Sequence, residues 1–265
     1  MRVLERNNVR LSGPEGAPPM VLAHGFGCDQ GMWRHVAPAF ERSHRVVLFD
    51  HVGAGGSDVA AFRPERYSSL DGYAEDVLEI LDTVDLAPVT FVGHSVSAMI
   101  GALAAARRPE RFARLVLVCP NPRYTDDGEY RGGFTSAEID ELLETMDENY
   151  LGWSAFIAPT IMGVPDRPEL GEELTSSFCR TDPAVARHFA RTTFRSDNRA
   201  DLARVSTPAL VVQTREDVIA PPSVGAFVHR HLAGSELVTL DAVGHCPNLS
   251  APDQLVAAMR GYLAA

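Results

Sequence analysis

The chain has 265 residues, of which 45% are hydrophobic and 22% charged, with a formal net charge of −11. That length and balance suit one large α/β unit with an insertion, and they exclude a disordered or low-complexity chain. Charge of this sign and size repels phosphate backbones and anionic lipid, which argues against nucleic-acid and membrane partners.

In chain order, residues 1–13 include Arg2, Glu5 and Arg6 but no apolar stretch of the kind a secretory leader needs. No apolar run reaches the length that crosses a bilayer. Short apolar runs then end at turn signals: 20–23 before His24-Gly25, 46–49 before Asp50, 89–92 before Gly93, 115–118 before Cys119-Pro120, 209–213 before 214–217, and 237–240 before 241–245. Runs without polar alternation suit strands covered on both faces, as in a parallel sheet. Helical periodicity falls between them at 73–84, 96–107, 222–231 and 252–263, the last two with proline near their starts. Alternation of this kind predicts βαβ units and a doubly wound sheet.

Residues 123–195 break the rhythm. They read as helices at 136–150, around 153–161, at 168–179 and at 183–194, with Ser136 and Asp182 as N-caps. The expected organisation is a core of residues 1–122 and 196–265, with 123–195 as a helical cap over one sheet edge. The four cysteines, Cys28, Cys119, Cys179 and Cys246, are scattered, with no C-x-x-C pair. Their spacing predicts neither a metal site nor a disulfide framework and fits a reducing cytoplasm.

The sharpest motif is Gly93-His94-Ser95-Val96-Ser97, between the run at 89–92 and the helix at 96–107. A strand–turn–helix context gives a G-x-S-x-G-like pattern its meaning: the serine sits on a strained turn whose flanking residues must be small. Ser97 replaces the usual second glycine and still meets the steric demand. A serine hydroxyl needs a base in hydrogen-bond reach and an acid to orient that base, in the chain order nucleophile, acid, histidine. Asp217 and its rival Glu216 follow the run at 209–213; Asp217 is favoured because the shorter acid one residue later suits the reach from the strand end. His245 follows the last strand and is the base in the correct order. His94 is expected to point away from Ser95. The Val96 N–H, at a helix start, and the Phe26 N–H, in His24-Gly25-Phe26-Gly27, are candidate oxyanion donors. The glycine-rich loop 50–57 lacks the lysine of a phosphate-binding loop and reads as structural.

Residues 91–101 (F-V-G-H-S-V-S-A-M-I-G) and 24–33 (H-G-F-G-C-D-Q-G-M-W) resemble the nucleophile turn and oxyanion loop of RsbQ-type bacterial hydrolases and of the plant strigolactone and karrikin receptors. Gly132-Gly133-Phe134, Asn149-Tyr150, Trp153, Ala158-Pro159, Phe194, Ser196-Asp197 and Arg199 resemble their lid, and Gly244-His245-Cys246-Pro247 is particularly similar to RsbQ. The resemblance implies an α/β-hydrolase fold with a four-helix lid inserted after the sixth strand. It implies a pocket lined by Phe26, Phe134, Trp153, Ile157, Phe178 and Phe194, with Val218 and Ile219 near the base. It also implies a small hydrophobic ester or lactone ligand, no cofactor and no metal. The implied role is in bacterial stress signalling with a PP2C-type phosphatase that carries a sensor domain. Three functions stay open at this point: a serine hydrolase, a ligand-binding signalling receptor with slow turnover, and a general carboxylesterase or cofactor-free perhydrolase. A haloalkane dehalogenase is disfavoured, because it needs an acid where Ser95 stands.

Overall fold

The structure, a computed structural model, describes residues 2–264. The outermost bounds of the expected core, Met1 and Ala265, lie outside the described residues. A short helix α1 (Val3–Arg6) and strand β1 (Arg10–Ser12) precede β2 (Pro19–Ala23) and β3 (Arg45–Phe49). Then come α2 (Leu70–Val84), β4 (Val89–His94), α3 (Val96–Arg107) and β5 (Phe112–Val118). Four helices follow without an intervening strand: α4 (Ser136–Glu148), α5 (Tyr150–Met162), α6 (Pro168–Arg180) and α7 (Pro183–Phe194). The chain closes with β6 (Ala209–Glu216), α8 (Pro222–His231), β7 (Ser235–Val243), α9 (Pro247–Ser250) and α10 (Pro252–Ala264).

Among the described residues the strands form one seven-stranded sheet in the order β1-β3-β2-β4-β5-β6-β7. Only the β1–β3 pair is antiparallel. Successive strand residues face opposite sides. Met20, Leu22, Val92, Val116 and Val212 therefore join one apolar core, while Val21, Ala23, Phe91, Leu117 and Val211 join the other. The first core runs on into the inserted helices through Trp153, Phe178 and Phe194. Every residue of β4 is buried, as a strand covered on both faces requires.

Two expectations need correction. The helical insertion follows the fifth strand, not the sixth, because the N-terminal edge supplies only β1 before β2, and residues 3–6 coil into α1 instead of adding a strand. The N-cap of α4 is Thr135, not Ser136. The Thr135 hydroxyl accepts from the Glu138 N–H while the Glu138 carboxylate accepts from the Thr135 N–H, a reciprocal box that satisfies two otherwise free amides. Asp182 does cap α7, accepting from the Ala184 and Val185 amides. No helix among the described residues is long and apolar enough to cross a membrane.

Candidate active site

β4 delivers the chain into a sharp turn at Ser95, whose φ of +57° is rare for a residue with a side chain. Two features hold it there. The Ser95 N–H donates to the Val118 carbonyl at 2.8 Å, tying the turn to β5. A Cβ at Gly93 would lie 2.3 Å from the Ser97 carbonyl oxygen, so the backbone passes closer than any side chain permits. The turn projects the Ser95 hydroxyl beyond the strand ends.

Loops after β6 and β7 bring the other two groups to it. His245 Nδ1 donates to Asp217 Oδ2 at 2.7 Å, leaving Nε2 to accept from the Ser95 hydroxyl at 2.7 Å. Asp217 Oδ1 accepts from the Ile219 and Ala220 amides at 2.8 and 3.0 Å. All three side chains are buried. Burial works to raise the Asp217 carboxyl, but the His245 imidazole and the two amides outweigh it and hold the pKa below its ordinary value. The rival Glu216 is exposed and faces Arg215, away from the histidine. The His245 amide donates to the Ile161 carbonyl at 2.8 Å, so the loop carrying the imidazole is fastened to the C-terminal turn of α5.

The Phe26 and Val96 amides are both unclaimed by any acceptor among the described residues. Val96 opens α3, where no preceding turn supplies a carbonyl. Gly25 brings the other loop close, since a Cβ there would lie 2.6 Å from His94 Nδ1 and 3.2 Å from the Ser95 Cβ. Ser97 adds a support that the motif alone does not announce. Its hydroxyl donates to the His24 carbonyl and accepts from His51 Nε2 at 2.7 Å. His24 Nε2 in turn accepts from the His51 amide at 3.0 Å. This buried His51–Ser97 pair is not a second triad, because His51 Nδ1 has no acid partner. It fixes the strand end from which Gly25 and Phe26 emerge, and so the loop at 50–57 braces the oxyanion loop.

A family model described as alpha/beta hydrolase fold matches residues 18–202. The chain belongs to the α/β hydrolase family. A second model, described as TAP-like protein, matches residues 178–265. The hydrolase is 41% identical to the strigolactone esterase D14 of Arabidopsis thaliana, over 98% of this chain and 97% of that one. It is 39% identical to the karrikin insensitive 2 receptor CA of Petunia hybrida, over 96% and 94%. Among solved structures it superposes on the hydrolase olei00960 of Oleispira antarctica with a TM-score of 0.96 at 41% identity, covering 99% and 96%. With this family and this site geometry, the protein is a serine hydrolase of the Ser–His–Asp type.

His94 makes no hydrogen bond to Ser95, as expected, although it shares the wall of the cavity described below, and its Nδ1 has no partner among the described residues. Its Nε2–H donates to the His245 carbonyl at 2.7 Å, and the two rings lie 5.1 Å apart. Burial, reinforced by the neighbouring His245, lowers the His94 pKa from 6.5 to about 3. A neutral His94 adds no charge to oppose an imidazolium on His245. The sign for stability follows. The unfolded chain protonates His94 below its ordinary pKa while the folded hydrolase does not, so stability falls as pH drops from 6.5 towards about 3. The expected loss is about 1.4 kcal/mol per pH unit within that window. Buried His51, also lowered, acts in the same direction. Urea unfolding at neutral and at mildly acid pH measures the loss, which should shrink in His94→Asn.

A small cavity of ≈ 30 Å³ opens above Ser95. Phe26, Phe178, Phe194 and Ile219 line it as expected, joined by Tyr124, Thr193, Leu174 and Ile161 and by Cys28 and Cys246. Phe134, Trp153, Ile157 and Val218 are not among its walls. Trp153 stands one layer behind, packing on Phe178 at 5.5 Å and edge-on to Phe26 at 6.4 Å. Phe134 is held in a backbone bridge to Thr125, and Ile157 packs partly buried against the core. Val218 is 53% exposed, because the carboxylate of Asp217 and the side chain of Ile219 on either side turn inward. Burial pushes the Cys28 thiol up to about 12, so it stays protonated. The fold also gathers Cys119, Asp217 and His245 within 4.8 Å, a grouping that the scattered sequence positions do not reveal. Two of its members are already hydrogen-bonded to each other.

Proposed function

We propose that this hydrolase cleaves small hydrophobic esters or lactones, with Ser95, His245 and Asp217 as its catalytic residues. His245 Nε2 takes the Ser95 proton as Oγ attacks the carbonyl carbon, and the Phe26 and Val96 amides hold the oxyanion. Protonated His245 then gives the proton to the leaving alkoxide as the acyl–oxygen bond breaks. Water, deprotonated by the same imidazole, releases the acyl group and restores Ser95. Residues 123–195 act as a lid over a core made of 1–122 and 196–265. The observation that carries this reading is the 2.7 Å contact between His245 and Ser95 at the floor of an aromatic chamber. The names of the similar plant proteins, an esterase and a receptor, support a small-molecule ligand.

Chamber size sets the test. With 4-nitrophenyl esters running from acetate through octanoate to palmitate, kcat/KM should be highest for the short acyl groups and fall at least about tenfold for palmitate, for which so small a chamber has no room. A preference for palmitate would overturn the substrate class.

The finer placement is with the RsbQ-type branch, as a ligand-operated signalling protein that acts on a phosphatase with a sensor domain. It is favoured by Phe156, 77% exposed, and Leu151, 60% exposed, both on lid helix α5. Large apolar side chains displayed this openly on one short helix suit a protein partner. If hydrolysis is slow and such a phosphatase binds the wild type but not Phe156→Glu, signalling is the use of the site. Fast turnover without binding leaves the esterase reading alone.

A further inference from the structure

The lid helices carry a set of serine and threonine hydroxyls, and those without a partner in the protein are exposed to solvent, with one exception. Thr145 donates to the Glu141 carbonyl, Ser154 to Tyr150 and Thr175 to Gly171, each one turn back along its own helix. Thr192 reaches across to the Tyr67 carbonyl. Thr193, the next residue, does neither. It is 1% exposed, its Oγ1 has no hydrogen-bond partner among the described residues, and it lines the catalytic cavity from α7. A helical threonine normally has the carbonyl four residues earlier available to it, so a hydroxyl that forgoes that acceptor inside a closed apolar space is destabilising as it stands. Valine would fill the same volume without that cost. An acceptor held in the cavity would satisfy the group.

We propose that Thr193 Oγ1 is a substrate-binding group that donates a hydrogen bond to a second acceptor oxygen of the ligand, so that the preferred ester or lactone carries a ring-ether or carbonyl oxygen besides its scissile group. The inference rests on Ser95 as the nucleophile. The Phe26 and Val96 amides at the sheet edge take the scissile carbonyl, whereas Thr193 enters from the lid, which leaves it the other end of the ligand. Esters and lactones offer acceptors and no donors, which fixes the direction of the bond. Of the remaining walls from 123–195, Phe178, Phe194, Leu174 and Ile161 supply apolar contact, and the Tyr124 hydroxyl lies close to Ser95, at the scissile end. That leaves Thr193 to read the position of an oxygen at the far end.

The test compares 4-nitrophenyl esters of tetrahydrofuran-2- and -3-carboxylic acid with that of cyclopentanecarboxylic acid, which have the same shape and differ by one ring oxygen. The readout is the ratio of kcat/KM between oxygenated and hydrocarbon esters, in the wild type and in Thr193→Val and Thr193→Ser. For at least one position of the ring oxygen, Thr193→Val should lower the ratio about fivefold, mainly through KM, and Thr193→Ser should retain it. The melting temperature of ligand-free Thr193→Val should rise, because an unpaired buried hydroxyl has gone. A ratio equal to that of the wild type for both ring positions, or an equal loss on all three esters, would overturn the subsite. Ser95→Ala separates this from failure of the parent reading: if hydrolysis of all three esters survives that change, the nucleophile is misassigned, whatever Thr193 does.

Discussion

Ser95→Ala should lower kcat on 4-nitrophenyl acetate by about 10⁴–10⁶ while leaving the fold intact. The methyl group fits where Cβ already sits, and the backbone tie from the Ser95 amide to Val118 does not involve the side chain. What disappears is the only hydroxyl hydrogen-bonded to His245 Nε2 among the described residues. The two free amides and the apolar walls remain, so ligand binding should persist, and a thermal shift with an unreactive hydrophobic lactone should be close to that of the wild type. Retention of more than about a tenth of the wild-type kcat would remove Ser95 from the mechanism.

The second large effect is expected at Asp217→Asn, a change of one atom. Asp217 Oδ1 is held by the Ile219 and Ala220 amides, which require an acceptor. The asparagine oxygen must therefore take that place, which turns the NH2 group towards His245 Nδ1. Facing a donor, Nδ1 has to accept, and the ring proton moves to Nε2. A protonated Nε2 cannot accept from Ser95, so the base is disabled by its tautomer with every heavy atom in position. An analogous change in a serine protease triad lowers kcat by about 10⁴, and a comparable loss is expected here. Measured kcat with an unchanged melting temperature would support this account. A loss matched by unfolding would assign Asp217 to stability instead.

Much of this site was legible in the chain because backbone demands mark the sequence. The nucleophile turn needs a small residue at Gly93, a strand before it and a helix after it, and all three leave a signature in residue type. Asp217 and His245 were readable because strand-end loops in a doubly wound sheet arrive at one edge in a fixed order. The walls of the cavity were harder to read. Whether Trp153 faces the void or stands behind Phe178 depends on how four helices pack, and helical periodicity leaves that open when aromatic residues occur on more than one face. Val218 shows the same limit in a loop, where one residue decides between solvent and chamber. His94, His51 and Ser97 were hidden for another reason. Each makes a hydrogen bond to a carbonyl or hydroxyl distant in sequence, and such pairings exist only once the sheet has formed. β1 and α1 are too short for any periodicity to emerge.

The bond between the His245 amide and the Ile161 carbonyl joins the chemistry to a wall of the cavity. A displacement of the end of α5 large enough to admit a bulky guest would pull on that carbonyl and draw the imidazole off the hydroxyl. The position of the base is thereby coupled to the packing of the end of α5.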